Sequence, residues 1–159
     1  MIIIVIGQSG AGKTTFVKEH YLKTPYVFDK DQLPFTFVEK TRTYLLGHYR
    51  GLKRCEGTDE LSYTAHDTII WFIKKYYDKG NIILEGDRIT QQKIMDFIIN
   101  SKYKVQLLLL ECSVSTSEKR LKKTNSFNST KWIKSTKTKS KNLFNKYKNL
   151  VKSYKISNE

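Results

Sequence analysis

Short apolar runs alternate with longer amphipathic stretches along the 159 residues of this chain. The first run, Ile2–Ile6, is continuous rather than alternating, as a strand buried on both faces requires. It runs into a glycine-rich loop, and Lys13 to about Leu22 continues as a helix. Pro25-Tyr26-Val27-Phe28 predicts a short second strand ending at Asp29-Lys30-Asp31. Phe37, Val38, Tyr44 and Leu45 recur at helical spacing and predict a helix over 36–46. Gly47 to Asp59 is a polar, basic, glycine-punctuated loop. Ile69, Ile70, Phe72, Ile73 and Tyr76 form the apolar side of a helix capped at Ser62 and running to about Asp78, with Gly80 at its exit. Trp71, inside that stripe, reads as core. Asn81–Glu85 predicts a third strand, followed by a helix capped at Thr90 and reaching about Asn100. Tyr103–Glu111 predicts a fourth strand, and Ser115 opens a helix that carries Arg120. A polar gap over 123–131 precedes a basic helix over 131–152, and the closing Tyr-Lys-Ile-Ser reads as a fifth strand. Strands alternating with helices imply an α/β fold with a parallel sheet.

The length suits one domain with a single sizeable core, and no linker or internal repeat divides it. No apolar run is long enough to span a bilayer, so no membrane partner is expected. The first apolar run has no basic leader and reads as a strand rather than a signal peptide. Cys55 and Cys112 match no metal-ligand spacing, which predicts a reducing compartment, the cytoplasm (the host's, for a viral protein). The formal net charge is +14, and it is uneven: residues 112–159 hold 13 Lys/Arg against 2 Asp/Glu. Such a block attracts polyphosphates or nucleic acid. It is equally the composition of a lysine-rich solvated helix.

The stretch GQSGAGKTT, residues 7–15, changes the picture most. Gly7, Gly12, Lys13 and Thr14 fit the G-x-x-x-x-G-K-[ST] phosphate loop, placed between an apolar strand and an amphipathic helix. Its glycines let successive N–H groups of Gln8, Ser9, Gly10 and Ala11 turn inward, and the helix that begins at Lys13, Thr14 and Thr15 aims its positive end at the same point. ATP is the expected ligand, with Lys13 between the β- and γ-phosphates and the Thr14 hydroxyl on Mg²⁺. An apolar strand ending in an acid, NIILE, places Glu85 as the carboxylate that holds the Mg²⁺ ion or its water. The expected architecture is the P-loop NTPase fold, a parallel five-stranded sheet in the order 2-3-1-4-5, flanked by helices.

LEGDRIT, residues 84–90, is similar to the strand-end segment of nucleoside monophosphate kinases. In that family an arginine binds the acceptor's phosphate, which implies this role for Arg88; the spacing is one residue shorter than in adenylate kinases. FDKDQL, residues 28–33, resembles the second-strand region of P-loop kinases that phosphorylate a hydroxyl, including polynucleotide and zeta-toxin kinases. The resemblance implies Asp31 as the group that accepts the hydroxyl proton, with Asp29 beside it among the acceptor contacts. A carboxylate suits that step because it orients the alcohol and takes its proton as the bond to phosphorus forms. GTPase base-recognition motifs such as NKxD are absent. Arg120, on a short helix before a polar gap, resembles the lid arginine of small P-loop kinases, which neutralises the transferring group and excludes water. The chain departs from that pattern in having only lysines after Arg120, such as Lys123, Lys131, Lys134 and Lys137. As a whole it looks like small phage- and virus-type P-loop kinases.

The insert over 47–62 lies where nucleotide kinases close over the acceptor. Tyr49 and Tyr63 are candidates to stack on a base, Arg50, Lys53 and Arg54 to meet a phosphate, and Thr58 and Asp59 to hydrogen-bond a base edge or sugar. His48 and His66 read as packing or surface residues. Two acceptor classes fit: a nucleoside or nucleotide, and a hydroxyl on nucleic acid such as a hydroxymethylated pyrimidine in DNA. Trp132, Phe144, Tyr147 and Tyr154, interleaved with the C-terminal lysines, suit either nucleic-acid stacking or packing of the last helix. A non-catalytic ATP-binding module is the third reading; intact Lys13, Thr14, Asp31 and Glu85 argue against it.

Overall fold

The first apolar run becomes β1 (Ile2–Gly7) at the interior of the sheet, paired in parallel with β5 (Asn81–Glu85) on one side and β6 (Val105–Glu111) on the other. The computed structural model describes residues 1–50, 56–124 and 129–159. Within them a sheet of seven strands is completed by β2 (Val27–Lys30), β3 (Pro34–Val38), β4 (Thr43–Leu46) and β7 (Lys152–Ser157), in the order β2-β3-β4-β5-β1-β6-β7. β3 runs against its two neighbours, and the remaining pairs are parallel.

Alternate side chains of the interior strands feed two apolar layers, as the period of two requires. Ile2, Ile4, Ile6, Ile82, Leu84, Leu107 and Leu109 pack beneath α2 (His66–Tyr76), α3 (Gln92–Ile99) and α5 (Thr130–Tyr147). Ile3, Val5, Ile83, Leu108 and Leu110 pack with Val17 of α1 (Lys13–Tyr21) on the other face. A strand covered on both faces needs apolar residues at every position, which is why β1 reads as an unbroken run. No helix among the described residues is long and apolar enough to cross a membrane.

The expected five-stranded sheet is corrected to seven strands, and the expected helix over 36–46 is a hairpin. Phe37 faces Tyr44 and Val38 faces Thr43 across β3 and β4. The rings of Phe37 and Tyr44 stack with centroids 4.6 Å apart. β-branched Thr36, Val38 and Thr43 with aromatic Phe35, Phe37 and Tyr44 fit a pleated surface, and that preference outweighs an accidental helical spacing. Glu39–Thr41 forms one 3₁₀ turn, and Arg42 closes the hairpin at φ 47°. The hairpin inserts between the expected second and third strands, so β2 keeps the sheet edge but is separated from β5 by two strands, and β4 takes its place beside β5. This also corrects the order 2-3-1-4-5.

Two helix starts shift as well. α2 begins at His66, and the Ser62 hydroxyl accepts the Thr64 N–H at 3.2 Å in the turn before it. Thr90 ends a 3₁₀ turn with its hydroxyl on the Asp87 carbonyl, 2.7 Å away, and α3 starts at Gln92. α4 (Val114–Lys123) is capped by Ser113, whose hydroxyl accepts the Thr116 N–H at 3.1 Å. Trp71 is half-buried at the edge of the core, with the Lys75 ammonium 4.7 Å from its ring centre.

Candidate active site

The carboxyl ends of β1, β5 and β6 meet at one rim of the sheet, and the phosphate loop crosses that rim. Gln8 fixes the loop from below: its side chain is buried and its amide donates to the Ser117 hydroxyl at 2.8 Å and the Cys112 carbonyl at 3.1 Å. Gly12 caps α1 at φ 83°, in the left-handed region where a side chain is strained. A Cβ there would also lie 2.7 Å from the Asn158 amide nitrogen. The Lys13 ammonium folds back over the loop and donates to the Gly7 and Gln8 carbonyls, each at 3.1 Å. Thr14 faces the end of β5, and its hydroxyl donates to the Glu85 carboxylate at 3.1 Å. That bond joins two segments 71 residues apart in sequence, the phosphate loop and the acid at the end of β5.

Glu85 is buried, and its carboxyl is pushed up to about 7, chiefly by desolvation; Lys13 and the Thr14 hydroxyl pull it down, Asp59 and Glu56 push it up. Hard oxygen donors on Thr14 and Glu85, side by side, are the kind of set that Mg²⁺ takes, and Lys13 lies where polyphosphate charge would be met. The residues present therefore fit a magnesium–nucleotide complex.

A second wall closes the rim from the segment after β4. Glu56 is buried and ion-paired with Lys18 of α1. Thr58 is buried and turns its hydroxyl onto the Glu85 backbone carbonyl, inward and away from a passing base. Asp59 is exposed at the mouth, beside Gly86. Tyr49 lies inside this wall at 1% exposure, so it is unavailable to stack on a base.

The other expected residues are more scattered. Asp31, in the turn after β2, accepts from the Lys75 ammonium and from the Tyr76 hydroxyl at 3.0 Å. Lys75 holds its carboxyl below the usual range. Asp29 bonds its own strand end, the Lys30 N–H at 2.7 Å, and its carbonyl contacts the His48 ring at 3.0 Å. Arg50 bonds the other nitrogen of His48 and lies over Phe28. The Arg88 guanidinium carbon lies over the exposed Tyr63 ring, 3.5 Å from its centre, with Nε donating to the Leu61 carbonyl at 2.9 Å. Arg120 turns toward the phosphate loop, donating to the Asn158 carbonyl at 2.8 Å. Lys53 and Arg54, and residues 125–128 of the expected lid, lie outside the described residues.

Thr136 and Asn158 at the rim carry no signal in the sequence, and Lys137 only that of one lysine among several after Arg120. The Thr136 hydroxyl of α5 accepts the Ser9 N–H at 3.1 Å, and the Asn158 amide donates to the Ala11 carbonyl at 2.7 Å. Lys137 donates to the Cys112 carbonyl at 2.8 Å. The first two contacts span more than a hundred residues, and none follows a local spacing; only the fold brings them together. Glu56 was legible merely as one acid within the acceptor-side insert. In the basic block, Lys139, Lys141 and Lys146 pair with Asp87, Glu111 and Asp96, while Phe144 and Tyr147 are buried and Trp132 and Tyr154 are exposed.

No curated protein matches the chain. Among solved structures it resembles deoxyadenosine kinase from M. mycoides in three complexes. The one with products dCMP and a flexible dCDP bound has a TM-score of 0.53 at 16% identity, covering 98% of this chain and 90% of that one. The dCTP complex gives 0.51 at 14%, covering 99% and 90%, and the dATP complex 0.54 at 13%, covering 99% and 91%. At such identities the likeness is one of fold. Residues 1–157, however, match the family model described as P-loop Nucleotide Kinase3, so the chain belongs to that family of P-loop kinases.

Proposed function

We propose that the protein transfers the γ-phosphoryl group of ATP to a nucleoside or nucleotide, with Mg²⁺. The observation that carries this reading is the Thr14–Glu85 bond, which couples the phosphate loop to the acid at the end of β5 beneath a wall of further carboxylates. The similar solved structures are of a deoxyadenosine kinase holding deoxynucleotides, which supports an acceptor of this class. Bound ATP and Mg²⁺ supply the transferable group and a cation that draws charge from its oxygens. Lys13 and backbone N–H groups of the glycine loop would hold the phosphates, with Thr14 and Glu85 as the metal ligands. Arg120, already turned onto the loop, stands ready to meet developing charge. Asp59 at the mouth, Arg88 over Tyr63, and Asp29 and Arg50 further along the rim are, among the described residues, the candidates to contact the acceptor.

For the proton acceptor, geometry and sequence favour different residues. Asp31 is the sequence choice; Glu56 shares the wall with Glu85 and acts on its charge. In the step, an acceptor oxygen bonds to the γ-phosphorus as the bond to the β–γ bridging oxygen breaks, and the oxygen's proton passes to the carboxylate. We assign that role to Glu56.

The test is transfer from γ-labelled ATP to two pools, with a no-acceptor control. One pool holds common and hydroxymethylated nucleosides and nucleotides, the other DNA with and without hydroxymethylated pyrimidines. Label on a small molecule is expected. Label on DNA would overturn that choice and make the lysines of α5 a substrate track. On the labelled acceptor, Glu56→Gln is expected to lose transfer about 100-fold and Asp31→Asn far less; the reverse ranking would return the role to Asp31.

A further inference from the structure

Tyr49 is the one buried side chain among the described residues whose polar atom lacks a hydrogen-bond partner. An orphaned buried hydroxyl costs stability, on the order of 1–3 kcal/mol for such a group in general. Satisfied polar groups are the rule, so an exception calls for a reason. Its surroundings supply one. Gly57 has φ 59°, and a Cβ built on it would lie 2.5 Å from the Glu85 Oε1 atom and 2.8 Å from the Tyr49 hydroxyl. The hydroxyl and the carboxylate therefore reach the same small space, kept open because residue 57 has no side chain. Glu85 already accepts from Thr14 on that oxygen. Burial pushes the Tyr49 phenol well up, and Glu85, at the margin of hydrogen-bonding reach, pushes it further, as do Asp59 and Glu56. A phenol is a neutral donor, so it adds a hydrogen bond at this crowded acidic rim without adding charge.

We propose that Tyr49 is a positioning residue for Glu85: its hydroxyl donates to the carboxylate when the magnesium–nucleotide complex binds, holding that carboxylate in its ligating orientation. The inference rests on the kinase reading above, and it assigns to the inner wall of the acceptor-side insert a task on the metal side. Partners that orient metal ligands typically contribute ten- to a hundredfold in metal affinity or activity.

The experiment is calorimetric titration of ATP into wild type and Tyr49→Phe, with and without Mg²⁺, beside thermal unfolding of both unliganded proteins. Tyr49→Phe is expected to leave the unliganded Tm unchanged or raised, because the lost hydroxyl had no partner. It is also expected to lower the Mg²⁺-dependent gain in ATP affinity about tenfold while leaving metal-free ATP binding as it was. A purely structural tyrosine would do the opposite, lowering Tm and sparing the metal-dependent gain, and that pattern would overturn the proposal. If wild type gains affinity from Mg²⁺ and the variant gains as much, only the Tyr49 inference falls. If wild type binds no ATP under either condition, the kinase reading falls with it.

Discussion

The two sides of the active rim are built by different means. On the phosphate side, backbone does the holding: glycine conformations, a helix start and two carbonyls under the Lys13 ammonium. On the acceptor side, side chains from separate segments do it: Glu56 on Lys18, Thr58 on the Glu85 carbonyl, Arg88 on Leu61 and Tyr63. Backbone construction tolerates few sequences and suits a group common to many substrates, the polyphosphate. Side-chain construction can be altered one residue at a time, which suits the part of a kinase that must choose an acceptor.

The comparison predicts that damage on the phosphate side is the greater and is blind to acceptor. Lys13→Ala is expected to lower transfer on the order of 10³-fold for every acceptor tested, because a fixed positive group at the transferring phosphate is lost. Lys13 is only partly buried, so Tm is expected to hold. Retention of transfer within tenfold would break the assignment of this loop as the phosphate site.

Where the two sides touch, at Glu85, the effect is on stability and depends on pH. The folded carboxyl titrates at about 7, above its ordinary 4.5. A group whose folded value is raised contributes its full stability below the unfolded value and loses it as pH rises through the folded one. The window is therefore about pH 4.5 to 7, and the size on the order of 3 kcal/mol. Urea unfolding of the unliganded protein is expected to show wild type losing about that much relative to Glu85→Gln between pH 4.5 and 8. Parallel curves for the two proteins would mean that the carboxyl is not desolvated by the rim.

The same division governs what could be read from the sequence. The loop, the strand before it and Glu85 at the end of NIILE were legible because each is a local pattern whose spacing carries the chemistry. Strands β1, β5 and β6 were legible because they are buried on both faces. The β3–β4 hairpin was not, since residues 36–46 offer a helical spacing by accident and their β-branched, aromatic content counts only once a pairing partner exists. The place of Tyr49 in a polar insert suggests a stacking residue; burial is a tertiary property and leaves no local mark. The base assignment diverges for a related reason. Asp31 follows the second strand in sequence, but the hairpin sets two strands between that one and β5, while Gly57 and Thr58, next to Glu56, lie against Glu85.

The smallest expected effect is also the most selective. Arg88 has its Nε committed to the Leu61 carbonyl and its guanidinium carbon over Tyr63, so the group is held with no hydrogen bond from its terminal nitrogens to the described residues. A planar fork fixed in this way meets a phosphate at two points; a lysine would supply charge but neither the Nε anchor nor the fork. Arg88→Lys is therefore expected to raise KM about tenfold for a phosphorylated acceptor, with KM for ATP unchanged. For an unphosphorylated nucleoside the same substitution leaves nothing to lose, and KM is expected to stay within about twofold. Steady-state kinetics on a nucleoside and its monophosphate would separate the two. A tenfold rise for both would move Arg88 from the acceptor's phosphate to its sugar or base, and no rise for either would leave it a structural prop beneath the rim, closing off the nucleotide acceptor that the sequence resemblance implies.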